Sequence, residues 1–135
     1  MAAEGGLPGF FEKRGLVYAD QPNAGGLRAQ GQRLLDAGVL EGALESFANA
    51  GDAEGIGRVA AAAATAGDAF AYEAAVKALG KAPTPAEWVA VGETALAAGM
   101  LGFAYRAFEK ADHQDGLERA RQAMLAAGLA PAPKA

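Results

Sequence analysis

The dipeptide Ala-Gly returns at Ala37-Gly38, Ala66-Gly67, Ala98-Gly99 and Ala127-Gly128, in nearly even steps. A recurrence every ~30 residues marks a supersecondary unit, and it constrains the fold strongly: no single unit can bury its apolar side alone, so neighbours must stack. Around each pair the apolar residues keep a helical period. Leu27, Gly31 and Leu34 precede the first pair, and Ala43, Phe47 and Ala50 follow it. Ile56, Val59, Ala60 and Ala63 precede the second, with Tyr72, Val76 and Leu79 after it. Trp88, Val91, Gly92 and Ala95 lead to the third, which Ala104, Phe108 and Ala111 follow. The fourth has Leu117, Ala120 and Met124 before it and a proline-containing tail behind. Each unit therefore reads as helix, glycine turn, helix, and the last as a single helix.

Local signals place the ends. Glycine after a helix takes the left-handed conformation without a Cβ clash. Thr84-Pro85-Ala86-Glu87 has the form of a capping box with proline at the first helical position, and Asn23 and Asp52 are placed to cap the helices behind them. The pattern predicts seven helices, over about 24–37, 40–50, 53–66, 69–80, 85–98, 101–111 and 114–127. Alanine is the commonest residue, 37 of 135, and aromatics are only 7%. Closely spaced helices suit such a chain better than a bulky sandwich core. Gly31, Ala60 and Gly92 are expected to let helix backbones approach, with Phe47 and Phe108 filling the next layer.

These residues resemble the tetratricopeptide repeat. The stretch Trp88, Val91-Gly92, Ala95, Gly99, Ala104, Phe108, Ala111 follows that family's order of large, small and aromatic positions, and Leu27, Gly31, Leu34, Gly38, Ala43, Phe47, Ala50 follows it nearly as well. The middle unit is degenerate, and every unit is a few positions shorter than the family's usual length of ~34 residues. The resemblance covers residues 24–128. It implies an all-α, right-handed solenoid of antiparallel helix pairs, about three helical hairpins plus a capping helix. It also implies a scaffold that binds a peptide or helix on its concave face. On that frame the groove residues are Arg28, Gln32, Thr65, Val89, Glu93 and Gln122. Arg28 stands alone where a chaperone-tail clamp needs several basic and amide groups, so no such binding is expected. A groove lined by alanine and acidic toward its C-terminal end fits an apolar or basic-amphipathic helix. The run from Ala60 to Ala64 reads either as a buried helix that needs small side chains or as the floor of that groove.

Residues 1–23 form an N-terminal arm with Leu7, Phe10, Phe11, Leu16, Val17 and Tyr18, broken by Pro8, Pro22 and four glycines. Three aromatics in so short an arm need somewhere to go. Either they fold over the first helix pair, or Phe10 and Phe11 dock on another chain, with self-association as one form of that docking. Residues 129–135 read as a flexible tail.

Several classes of function are excluded or weakened. The chain has no Cys and one His, which removes disulfides, thiolate metal sites and cysteine nucleophiles. A net charge of −4 and the lack of a recurring basic stripe argue against nucleic acid. No apolar run is long enough for a membrane span, and the first twenty residues lack a signal core, so a cytoplasmic location is expected. His113, between Asp112 and Asp115, is the one acid–base candidate and reads as a polar helix boundary. Asp36 with Glu41 and Glu45, and Glu109 with Asp112, match no calcium-loop spacing. Gly25-Gly26-Leu27-Arg28 follows no strand and has no P-loop lysine. The chain is thus expected to bind without catalysis, metal or cofactor. The competing expectation is an accessory subunit, built into a larger assembly through its arm and convex face.

Overall fold

In the computed structural model the chain is described over residues 23–129, and the arm residues Phe10 and Phe11 lie outside them. Seven α-helices and no strands occupy the described residues: α1 (Ala24–Asp36), α2 (Leu40–Asn49), α3 (Ala53–Ala66), α4 (Ala69–Ala78), α5 (Pro85–Ala97), α6 (Leu101–Ala111) and α7 (Gln114–Ala126). Each falls within two residues of its expected place.

The turns explain this accuracy. Gly38, Gly51, Gly67, Gly80, Gly99 and Gly128 all have φ between 70° and 79°. Each closes a helix with paired backbone bonds. At Gly38 the Val39 N–H donates to Leu34 O (2.8 Å) and the Gly38 N–H to Leu35 O (3.0 Å), and Met100 and Gly99 donate in the same way to Ala95 and Leu96. After α6 the left-handed place falls to Asp112, φ 52°, whose carboxylate accepts from Gln114 Nε2 at 3.0 Å.

Helix starts agree less uniformly with expectation. Thr84 forms the complete capping box, with Glu87 N–H donating to its Oγ1 and Thr84 N–H donating to Glu87 Oε1 at 2.8 Å. Asp52 accepts from Gly55 N–H at 3.1 Å. Asn23 is a correction: it stands before α1, but its side chain makes no capping hydrogen bond. Replacing Thr84 by Ala should cost about 1 kcal/mol of stability. Thr94→Ala, which removes only a bond back to the Ala90 carbonyl, should cost far less. Paired urea denaturation curves check the difference.

The chain divides into two compact units: residues 23–62 with 71–82, and residues 63–70 with 83–129. In the first unit α1 packs on α2. In the second α5 packs on α6, α6 on α7, and α5 touches α7. The units repeat one another at a constant offset that spans two Ala-Gly steps, from Ala37 to Ala98. Gly31, Phe47, Gly55 and Arg58 of the first become Gly92, Phe108, Gly116 and Arg119 of the second.

Phe47 and Phe108 are fully buried, and each ring lies between two glycines. A Cβ on Gly31 would stand 2.9 Å from Phe47 Cδ1, and one on Gly92 2.8 Å from Phe108 Cε1. A Cβ on Gly55 or Gly116 would run into the same rings from the third helix of each set. This corrects the expected role of Gly31 and Gly92: they seat the aromatic ring itself. In the second unit Ala95, Ala104 and Ala120 complete the buried cluster around Phe108. Along the alanine run Ala60 and Ala63 are buried and Ala61 is exposed, so burial does not extend all round the helix.

Candidate functional site

Above each buried ring lies an arginine. Arg58 of α3 places its guanidinium carbon 5.2 Å from the Phe47 ring centre, and Arg119 of α7 sits 5.5 Å from that of Phe108. Each also reaches across to a first helix, Arg58 to Gln32 and Arg119 to Glu93, and these two acceptors are again equivalent positions of the two units.

The two contacts differ chemically. Glu93 offers a carboxylate, so Arg119 meets it with both terminal nitrogens, Nη1 to Oε1 at 3.1 Å and Nη2 to Oε2 at 2.5 Å. Its Nε donates to Asp115 at 3.0 Å. Gln32 offers only an amide oxygen: Arg58 Nε donates to it at 3.1 Å, while the Gln32 amide nitrogen donates to Asp36 at 2.8 Å. A bidentate arginine–carboxylate pair carries more energy and direction than one neutral acceptor.

The hydrogen bond from Arg119 holds the Glu93 carboxyl below its ordinary value of 4.5, against a smaller opposing effect of desolvation and with help from the charge of Arg119. The same fork raises the Arg119 guanidinium. Both side chains are more than 40% exposed, so solvent screens the pair and its net worth is small. The sign is definite. A carboxyl lowered on folding stabilises above its unfolded value, and that support disappears as pH falls through the folded value. The stability gap between the wild type and Glu93→Gln should therefore be widest near neutrality and close as the solution is acidified below the ordinary carboxylate range. A gap that stays constant with pH, measured as urea midpoints, would contradict this.

His113 occupies the place of Asp52. It is the N-cap of α7: its Nδ1 accepts from Gly116 N–H at 2.9 Å, and its ring stacks on Phe108 at 5.6 Å. Nδ1 must therefore be unprotonated, with any ring proton on Nε2. The residue is half-buried and tied to the helix start. Among the described residues no group of three His, Asp or Glu side chains could hold a metal, and none of the helices is long and apolar enough to cross a membrane.

The remaining groove candidates are placed as follows. Arg28 is exposed on α1, one helical turn before Gln32, with its Nε 3.9 Å from Asp52. Val89 is half-buried against the Phe108 cluster. Thr65 is exposed near the end of α3, and Gln122 is exposed and donates to Glu118 at 2.8 Å. The structure thus links Gln32 to Arg58 and Glu93 to Arg119, two arginines that the apolar repeat pattern does not single out. The signal that could have found them is their shared setting: each stands three positions after a glycine, Gly55 or Gly116, at the same place in its unit.

No protein family, no curated protein and no solved structure matches the chain.

Proposed function

We propose that this chain is a protein-interaction module, an adaptor or scaffold without covalent chemistry. In this reading the helix pairs form a right-handed, tetratricopeptide-like solenoid and a peptide or helix of a partner protein lies along its first helices. One observation carries it. The two units keep the same phenylalanine between the same glycines while the side chains above that core change: Arg28 to Val89, Gln32 to Glu93, Gly57 to Glu118. A repeated phenylalanine seat beneath side chains that vary suits a repeat scaffold whose faces are specialised for contacts. Arg28, Gln32, Thr65, Val89, Glu93 and Gln122 form the contact set, and an apolar or basic-amphipathic segment suits the acidic Glu93 and Glu118. A cytoplasmic setting belongs to the same reading.

The test is co-purification of the tagged full chain from its own cells, followed by reconstitution with the purified partner. Arg28→Ala, Thr65→Ala and Gln122→Ala together should weaken the reconstituted complex about tenfold, the loss of ~1.4 kcal/mol, without changing the melting temperature. An unchanged affinity in that triple variant and in Glu93→Ala would sink the reading.

A second reading has its own support. Phe70 is 55% exposed and meets Phe103 edge-on, with ring centres 5.5 Å apart. Val39, Leu125 and Leu129 are also about half exposed. Apolar surface of this kind suits a subunit held permanently in an assembly through its convex face and its Phe10-Phe11 arm. Light scattering on the purified chain separates the two: a monodisperse monomer fits the adaptor, and self-association that Phe70→Ser relieves fits the subunit.

A further inference from the structure

The second unit shows what an arginine in this position accepts, and the first unit lacks it. Arg119 has its fork filled by Glu93 and its Nε by Asp115. Arg58 sits over the equivalent ring, yet among the described residues its only hydrogen-bond partner is the Gln32 oxygen, at Nε. Nη1 and Nη2 make no hydrogen bond among the described residues, and the residue is exposed. Glu54, in the register of Asp115, makes no hydrogen bond to Arg58. Two carboxylates of the same unit are engaged elsewhere, Asp36 by Gln32 and Asp52 by Gly55 N–H and Arg28.

The guanidinium is nevertheless oriented. The ring of Phe47 supports one face, and Gln32 holds Nε. Gln32 is itself fixed, because its amide nitrogen is given to Asp36 and only its oxygen is left for the arginine. An oriented planar fork with two unfilled donors is a receptor for a planar anion with two acceptors.

We propose that the open fork of Arg58, held by Phe47 and Gln32, binds one carboxylate carried by the bound peptide segment. The carboxylate takes the place relative to Arg58 that Glu93 takes relative to Arg119. Only the assignment of that carboxylate to a protein rests on the interaction-module reading; the fork is a property of the chain alone.

Nitrogen-15 spectra of the arginine Nε–Hε groups test this on the full chain, with Arg119 as the internal control. The probes are acetyl-Gly-Glu-Gly-amide, its glutamine counterpart, and acetyl-triglycine with a free C-terminal carboxylate. The Arg58 signal should move with the glutamate probe and stay with the glutamine probe, while Arg119 stays with both. The free-acid probe tells whether a chain terminus serves as well as a side chain. Arg58→Lys, which keeps the charge but loses the fork, should weaken glutamate-probe binding by calorimetry about tenfold. Gln32→Glu supplies the carboxylate within the chain, as Glu93 does, and should abolish the Arg58 response. Glu93→Gln opens the second fork and should make Arg119 respond. An Arg58 signal that ignores the glutamate probe overturns the proposal, and so does an equal response of Arg58 and Arg119 in the wild type. Either result leaves the interaction-module reading standing, since that reading fails only on the reconstituted complex.

Discussion

Phe108→Ala should destabilise the chain by about 4 kcal/mol, and Phe47→Ala by a similar amount, in the middle of what loss of a buried aromatic ring costs. The reason is what surrounds each ring. Phe108 is fully buried, and two of its neighbours, Gly92 and Gly116, have no side chain that could turn inward to fill the space. The other close members of the cluster, Ala95, Ala104 and Ala120, have nothing to extend. The buried wall of the cavity is glycine and alanine, so it closes only through helix movement or through half-buried neighbours such as Met100 and Leu117 at its edge, and much of the lost volume stays empty. Arg119 would also lose the ring beneath it and His113 its stacking partner. Urea denaturation with far-ultraviolet circular dichroism gives the number. A cost under about 2 kcal/mol would show that the helices close the gap, and would deny the ring its place as the fixed centre of the unit.

Much of this architecture was legible in the sequence, and the reason is local. Helix ends are set by turn chemistry within a few residues: the left-handed glycines, the box at Thr84 and Glu87, and the cap at Asp52 act whatever lies across the fold. What lay hidden depended on contacts across helices. Gly55 and Gly116 look like helix-weakening residues until the rings they face are seen. Counting from one Ala-Gly pair to the next gives unequal steps, and these hide the exact repetition over two steps, where Arg58 and Arg119, Gln32 and Glu93, Asp52 and His113 correspond. His113 illustrates the cost of reading residues singly. Beside two aspartates it resembled an acid–base group or a plain surface residue; beside Asp52 of the first unit it is recognisable as a helix cap. Asn23 misled in the opposite direction, since residue type and position were right and the side chain still makes no capping bond.

Gly116→Ala should destabilise the wild type and stabilise Phe108→Ala. In the wild type the new methyl meets the ring at Cδ1, Cε1 and Cγ, close to the ring's attachment and not at a yielding tip. The ring has little room to retreat, because α5 runs so close at Gly92 that even a Cβ there would stand 2.8 Å from Phe108 Cε1. Overpacking of this kind costs about 1–3 kcal/mol, and the better helix propensity of alanine returns at most ~1 kcal/mol of it. Once the ring is gone the clash disappears, the methyl occupies part of the cavity, and the propensity gain acts alone. The double-mutant cycle should then report a coupling of roughly 2 kcal/mol or more between positions 108 and 116, the sign of two residues competing for one volume. Gly55→Ala should repeat the result against Phe47. Gly57→Ala, two positions along the same α3, finds nothing within 4 Å of its new Cβ and should stabilise the chain by up to ~1 kcal/mol. Opposite signs at Gly55 and Gly57 would separate a packing requirement from a general tolerance of glycine in α3. If Gly55→Ala and Gly116→Ala also stabilised the wild type, the rings would not be held between glycines at all. The correspondence of the two units would then be one of turns and caps, without a shared core.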